Sequence, residues 1–261
     1  MTRELLYFEI GHSLLEEIQY LEKKSLKDES TLILLSYLLA KKGKSDYLGP
    51  IHKLKLDALQ SKMGESPSKY QRIFDGIKSQ ADELDRIYNL NWDHIKQKID
   101  SYSLRDYRNT RIYQDSFPEI DGSAGMTTNV LERIYNIAPV YWAELERKKD
   151  LGSRNAETIE FLLEKGAIFE GSENKKELQT NHIYFMDLMP ILKKIPLIKK
   201  KVGKFSEMIA RERDKPIARK IDQTLKEEEL GIVFMGSIHK VTAYLPEDIE
   251  IDYVPIFAEL T

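Results

Sequence analysis

The sequence predicts a helix-rich α/β protein with a central, mostly parallel sheet of about five strands. Three observations carry this. Short apolar, β-branched or aromatic runs recur at wide intervals, the stretches between them have helical periodicity, and the first four strand candidates run into glycine, aspartate or glutamate. Strands separated by helical segments cannot be hairpin partners, so a parallel sheet with helical crossovers follows.

Leu5 to Ile10 (LLYFEI) is the first strand candidate, with Glu9 embedded in it. Gly11 and His12 follow directly, and Ser13 is a candidate cap for a helix through Leu14, Leu15, Ile18 and Leu21. Residues 28–100 read as helix almost throughout, with an apolar segment from Leu32 to Leu39 ending near Gly43. A further helix opens at Ser66-Pro67-Ser68, with Tyr70, Ile73, Ile77, Ala81 and Leu84 at three- and four-residue steps. This block is expected to be a helical insertion or cap after the first strand, within a single α/β domain spanning 1–261.

Thr110 to Gln114 is the second strand candidate, closed by Asp115-Ser116-Phe117-Pro118. A Gly/Ser/Asp-rich loop follows at 120–125, which matches neither the P-loop nor the dinucleotide fingerprint. Helices are expected over Thr128 to Tyr135, Pro139 to Lys148 and Asn155 to Lys165, the last stopped by Gly166. Ala167 to Glu170 is a short strand with Gly171-Ser172-Glu173-Asn174 after it. Leu178 to Glu212 reads as helix broken at Pro190 and Pro196, with a boundary near Asp214, whose carboxylate would cap a helix from Pro216 to Leu225. Ile232 to Met235 is a strand buried on both faces, ending at Gly236 with His239 three residues on, and about Ile249 to Val254 closes the sheet.

Composition narrows the chemistry. A net charge of −3 on 261 residues gives no global pull toward nucleic acid or membrane, so neither is an expected partner. With no cysteine, there is no disulfide, thiol nucleophile or Cys-based zinc site, and any metal would need histidine and carboxylate ligands. The amino terminus meets charge too early for a signal peptide, and no apolar run approaches the roughly 18 residues of a spanning helix, so a cytoplasmic location is expected. No G-x-S-x-G elbow is present to support serine hydrolysis.

In a parallel sheet the loops after the strands emerge on one edge, where ligands bind. That edge would gather His12, Asp115, Glu170 or Glu173, and His239, a set able to do acid–base work or hold a divalent metal. Gly236 and Ser237 would line the same rim and contact any cofactor. Arg213, in the RERD stretch, could fix an anionic group or hold Glu170 charged; pairing with a surface glutamate is its commoner fate. His52, His94 and His182 sit within helical patterns and are not candidate ligands.

RERDKPIARKI (211–221) followed by GIVFMGSIH (231–239) resembles the carboxyl-terminal signature of TraB/PrgY-like proteins, which joins an ERD-x-x-(M/I)-A helix to a strand ending in G-x-x-H. That superfamily is related to Tiki-type metalloproteases and, more remotely, to erythromycin-esterase-like and haem-binding ChaN-like proteins. Its first histidine motif is matched in part by Ile10-Gly11-His12-Ser13. Blocks at Leu5–His12, Ile112–Pro118, Leu151–Asn155 and Gly166–Asn174 are also similar to an uncharacterised bacterial and archaeal group whose members end in G-I-L-F-x-G-x-x-H. The resemblance implies a divalent metal on His12, His239 and Glu170 or Glu173, and a metal- or histidine-dependent hydrolase acting on a small or peptide-like substrate. A binding or signalling module on a degenerate site is the second expectation and haem binding the third.

Overall fold

Five strands, β1 (Arg3–Ile10), β2 (Thr110–Pro118), β3 (Ile168–Glu173), β4 (Leu230–Gly236) and β5 (Ile249–Val254), form one sheet in the order β3-β2-β4-β1-β5. Every neighbouring pair is parallel. This computed structural model describes residues 2–10, 21, 25–102, 107–118, 139–173, 196–237 and 239–255. The expected α/β class, the parallel sheet and the helical stretch after the first strand are all present. His12, the 120–125 loop and the helix expected over 128–135 lie outside the described residues.

The chain forms two compact units, one of Met1–Gly11, Ile95–Glu144 and Thr158–Thr261, the other of His12–His94 and Leu145–Glu157. The first holds the sheet. Its inner strands β4 and β1 are buried almost end to end, as continuous apolar strands require. On one face Leu5, Tyr7, Tyr113, Val233 and Met235 pack with Ile217, Ala218, Ile221 and Leu225. Phe8 and Phe234, in register on β1 and β4, stack with ring centroids 5.6 Å apart.

The second unit is helical, built from α1 (Glu29–Lys41), α2 (Pro50–Glu65), the part of α3 (Pro67–Ser101) up to His94, and a short piece around Leu151. Asp28 caps α1 by accepting the Thr31 N–H at 3.1 Å. Leu35, Leu38, Leu39, Leu48, Ala81 and Leu151 share one apolar cluster. Two more helices, α4 (Pro139–Asp150) and α5 (Arg154–Glu164), precede β3. Gly166 follows α5 with φ +100°, a conformation that glycine adopts without a Cβ penalty, as its reading as a stop signal requires.

The last helix departs from expectation. α6 (Pro196–Thr224) is continuous through Asp214, with Pro216 inside it. No helix starts at Pro216, and Asp214 is not a cap. The proline removes the N–H that would bond the carbonyl of Glu212, an exposed residue. Tertiary packing outweighs that loss, because Ile217, Ile221 and Leu225 are at most 2 % exposed, each contributing roughly 1.5–3 kcal/mol of burial.

α6 runs antiparallel to the strands. Near its end Thr224 Oγ1 meets the Tyr113 hydroxyl at 2.8 Å, and the Arg3 guanidinium donates to the carbonyls of Asp222 and Leu225 near the strands' amino ends. One helical stretch earlier, Asp214 reaches the segment that follows β4. This direction puts the RERD stretch at the carboxyl edge of the sheet. Among the described residues no helix is long and apolar enough to cross a membrane.

Candidate functional site

The strand order itself marks a crevice. After β2 the chain goes to its neighbour β3 on one side, while after β4 it passes over β1 to β5 on the other. The connections therefore diverge between β2 and β4, and such a switch point at the carboxyl edge is where open α/β sheets bind ligands. Asp115 of β2 and Gly236 of β4 face each other there.

Asp115 is 4 % exposed and both of its oxygens are engaged. Oδ1 accepts from Gln114 Nε2 at 2.7 Å and Oδ2 accepts the Gly236 N–H at 2.9 Å. A Cβ on residue 236 would stand 3.2 Å from Asp115 Oδ2 and 3.9 Å from His239 Cδ2. The first approach is tight and the second an ordinary contact, so the absent side chain chiefly gives room to the Asp115 carboxylate. Ser237, next along, is exposed.

From Gly236 the chain turns back, the His239 N–H donating to the Gly236 carbonyl at 3.0 Å. His239 is held by α6. Its Nδ1 lies 2.6 Å from Asp214 Oδ1, while Asp214 Oδ2 accepts the Lys240 N–H at 2.8 Å. The two side chains are 2 % and 0 % exposed. A carboxylate can only accept, so Nδ1 carries a proton, and in the neutral ring Nε2 keeps its lone pair. An imidazole fixed in that tautomer by a buried carboxylate is equipped to take a proton through Nε2.

Arg213, the preceding residue, forms a two-pronged bond with Glu173 of β3, Nε to Oε2 at 2.5 Å and Nη2 to Oε1 at 2.6 Å. The pair is buried, its side chains 13 % and 3 % exposed. Burial works against the guanidinium charge, but the bond to Glu173, with further attraction from Asp115 and Asp214, outweighs it and holds Arg213 charged. Its fork is already occupied by protein.

Glu170 stands elsewhere. It is in register with Tyr113, which is in register with Val233, three residues before Gly236 and so about 10 Å back along the strands. There Arg111 binds both Glu170 and Glu229. Glu170 belongs to this ion-pair group, and Glu173 is the β3 glutamate near the carboxyl edge.

The edge holds further polar groups that sequence reasoning did not select. Glu9 of β1, 9 % exposed, accepts from the Tyr253 hydroxyl and has Lys240 Nζ at 3.8 Å. Tyr7 lies two residues before it on the same face. Pro216, two residues on, gives Asp214 the local signature of a helix cap, which hides its pairing with His239. Glu9 carried a signal, being a charge inside an apolar strand.

The structure thus brings together Asp115, Gly236 and His239, and ties Arg213 to Glu173. Among the described residues no three histidine, aspartate or glutamate side chains are placed to hold a metal ion. His239 Nδ1, both Asp115 oxygens and both Glu173 oxygens have protein partners and Glu170 lies with Arg111, while an imidazole whose Nδ1 is held by a carboxylate keeps Nε2 as the atom a metal would take. Comparison with protein-family models, with curated protein sequences and with solved structures gave no match.

Proposed function

We infer that this chain is a histidine-dependent hydrolase, with His239 as general base and Asp214 as the group that holds it. The observation that supports this is the buried Asp214–His239 pair beside the switch point between β2 and β4. Asp214 holds the Nδ1–H tautomer and stabilises the imidazolium that forms when Nε2 takes a proton from water. Arg213 and Glu173 act as positioning residues, anchoring the helix that carries Asp214 to β3. With four buried carboxylates at this edge (Glu9, Asp115, Glu173, Asp214) against Arg213, bound to Glu173, and Lys240, beside Glu9, the site suits an uncharged or cationic substrate, small or peptide-like, better than an anion. A cytoplasmic location is part of the same proposal.

The test is hydrolysis of 4-nitrophenyl acetate and of unfolded casein by the wild type, His239→Asn and Asp214→Asn. Loss of about 10²–10⁴ in rate in His239→Asn is expected for removal of a general base. Equal rates in wild type and His239→Asn overturn the assignment. A second reading, a binding module, draws on the near-complete burial of His239, which suits a purely structural pair. It is favoured if the wild type hydrolyses neither compound.

A further inference from the structure

Glu9, one residue before the end of β1, is a carboxylate in an apolar strand, and burial to 9 % exposure strips most of its hydration. Oε1 accepts from the Tyr253 hydroxyl and has Lys240 Nζ at 3.8 Å, too far for a hydrogen bond. Oε2 accepts no hydrogen bond among the described residues. In this it differs from the other buried carboxylates of the edge. Asp115, Glu173 and Asp214 each have both oxygens bonded within the protein. Two residues back on the same face, the Tyr7 hydroxyl also has no partner among the described residues, but at 1 % exposure it is out of reach of any ligand. The Glu9 side chain stays 11 % exposed.

Its place in the sheet sets it beside the base. Glu9 is in register with Met235, one residue before the Gly236 turn that leads to His239. Adjacent strands lie about 4.8 Å apart, so Glu9 stands one strand aside from the start of that turn. Lys240, next to His239, already brings an ammonium there. Its side chain is 62 % exposed, so water solvates the charge and the contact with Glu9 is loose. A second ammonium that approaches Glu9 to about 2.8 Å gains the charge-assisted hydrogen bond that Lys240 does not make.

We propose that Glu9 is the specificity-determining residue of this site and binds an ammonium group of the substrate, displacing the Lys240 ammonium. The substrate class is then an ester or amide that carries a primary ammonium, at a free amino terminus or on a lysine side chain. Its hydrolysis rests on the reading of His239 as general base; the binding of the ammonium does not.

Binding is read from the Gly236 and Lys240 amide signals in nitrogen-15 NMR titrations. The probes are L-alaninamide with a terminal ammonium, Nα-acetyl-L-lysinamide with a side-chain ammonium, and neutral N-acetyl-L-alaninamide. At least one cation is expected to shift both signals to saturation and the neutral amide neither, and the cation that binds identifies the source. Glu9→Gln is expected to weaken that cation by on the order of tenfold, and Lys240→Met to tighten it by removing the competing ammonium. No binding of either cation overturns the proposal, as does equal affinity in wild type and Glu9→Gln. Lys240 is exposed, so Lys240→Met decides the case if Glu9→Gln does not fold, and unchanged or weaker binding in it overturns the displacement. Hydrolysis is then compared for the 4-nitroanilide of the cation that binds and its N-acetylated counterpart. Binding without hydrolysis sinks the His239 reading and leaves Glu9 as a cation site, whereas hydrolysis of both at equal kcat/KM sinks selection by Glu9 and leaves the base intact.

Discussion

Asp214 and His239 stand 25 residues apart in the chain, yet the Asp214 carboxylate lies 2.6 Å from the imidazole and also accepts the backbone N–H of the next residue, Lys240. One side chain on α6 thus fixes two consecutive residues of the segment that leaves β4. Both side chains are almost wholly buried, so removing either strands the other. Asp214→Ala is expected to destabilise the fold by about 3–5 kcal/mol, as for a broken buried pair, and Asp214→Asn by less because an amide still accepts one bond. Urea unfolding measures both. Nitrogen-15 NMR of the imidazole is expected to show the Nδ1–H tautomer, and an Nε2–H tautomer contradicts the base assignment.

The Arg213–Glu173 pair ties the same helix to β3 through two parallel bonds. Lysine offers a single ammonium and cannot reproduce the fork. Arg213→Lys is therefore expected to lose stability, and Glu173→Gln to lose about 3 kcal/mol because a buried guanidinium is left without its counter-charge. Replacing both residues with apolar ones of similar size is expected to recover much of the loss. Equal stability of Arg213→Lys and wild type in chemical denaturation contradicts the buried fork.

The Arg111 group gives a pH dependence with a definite sign. Burial raises Glu229, but the bond from Arg111 and the Lys226 N–H outweigh it and hold the carboxyl below its usual range. A carboxylate depressed in the folded state stabilises the protein above its unfolded pKa, about 4.3, and loses that contribution as pH falls through the folded value. The stability gap between wild type and Glu229→Gln is thus expected to be widest above about pH 5 and to narrow as pH falls below the unfolded value. A gap that stays constant across this range in urea titrations removes Glu229 as the source.

The placement of α6 depends on apolar burial as much as on its polar bonds. Ile217 is fully buried against Leu5, Tyr7 and Val233, so Ile217→Ala is expected to cost about 2–5 kcal/mol. Leu54, 69 % exposed on α2, is expected to tolerate alanine within about 0.5 kcal/mol. Thermal melts of the two variants separate the cases, and similar losses contradict the packing described.

How much was legible follows from the range of each interaction. Local pattern sufficed for β5, expected and found at Ile249–Val254, and for the helix opening at Pro67, because alternation, periodicity and proline act within a few residues. Local pattern misled at Pro216, where the proline's own preference is to end a helix and the buried Ile217–Leu225 stripe overrides it. The choice between Glu170 and Glu173 needed the β2–β3 register, which shifts between Gln114 and Pro118. The sequence by itself determined the α/β class, the strands, and the edge at Gly236–His239. Only the tertiary structure decided that Asp214 is the partner of His239, that Arg213 is committed to Glu173, and that the Tyr7 hydroxyl is left without a partner in the described fold. Those facts depend on which side chains a parallel sheet and an antiparallel helix bring within 3 Å, and no local signal carries that distance.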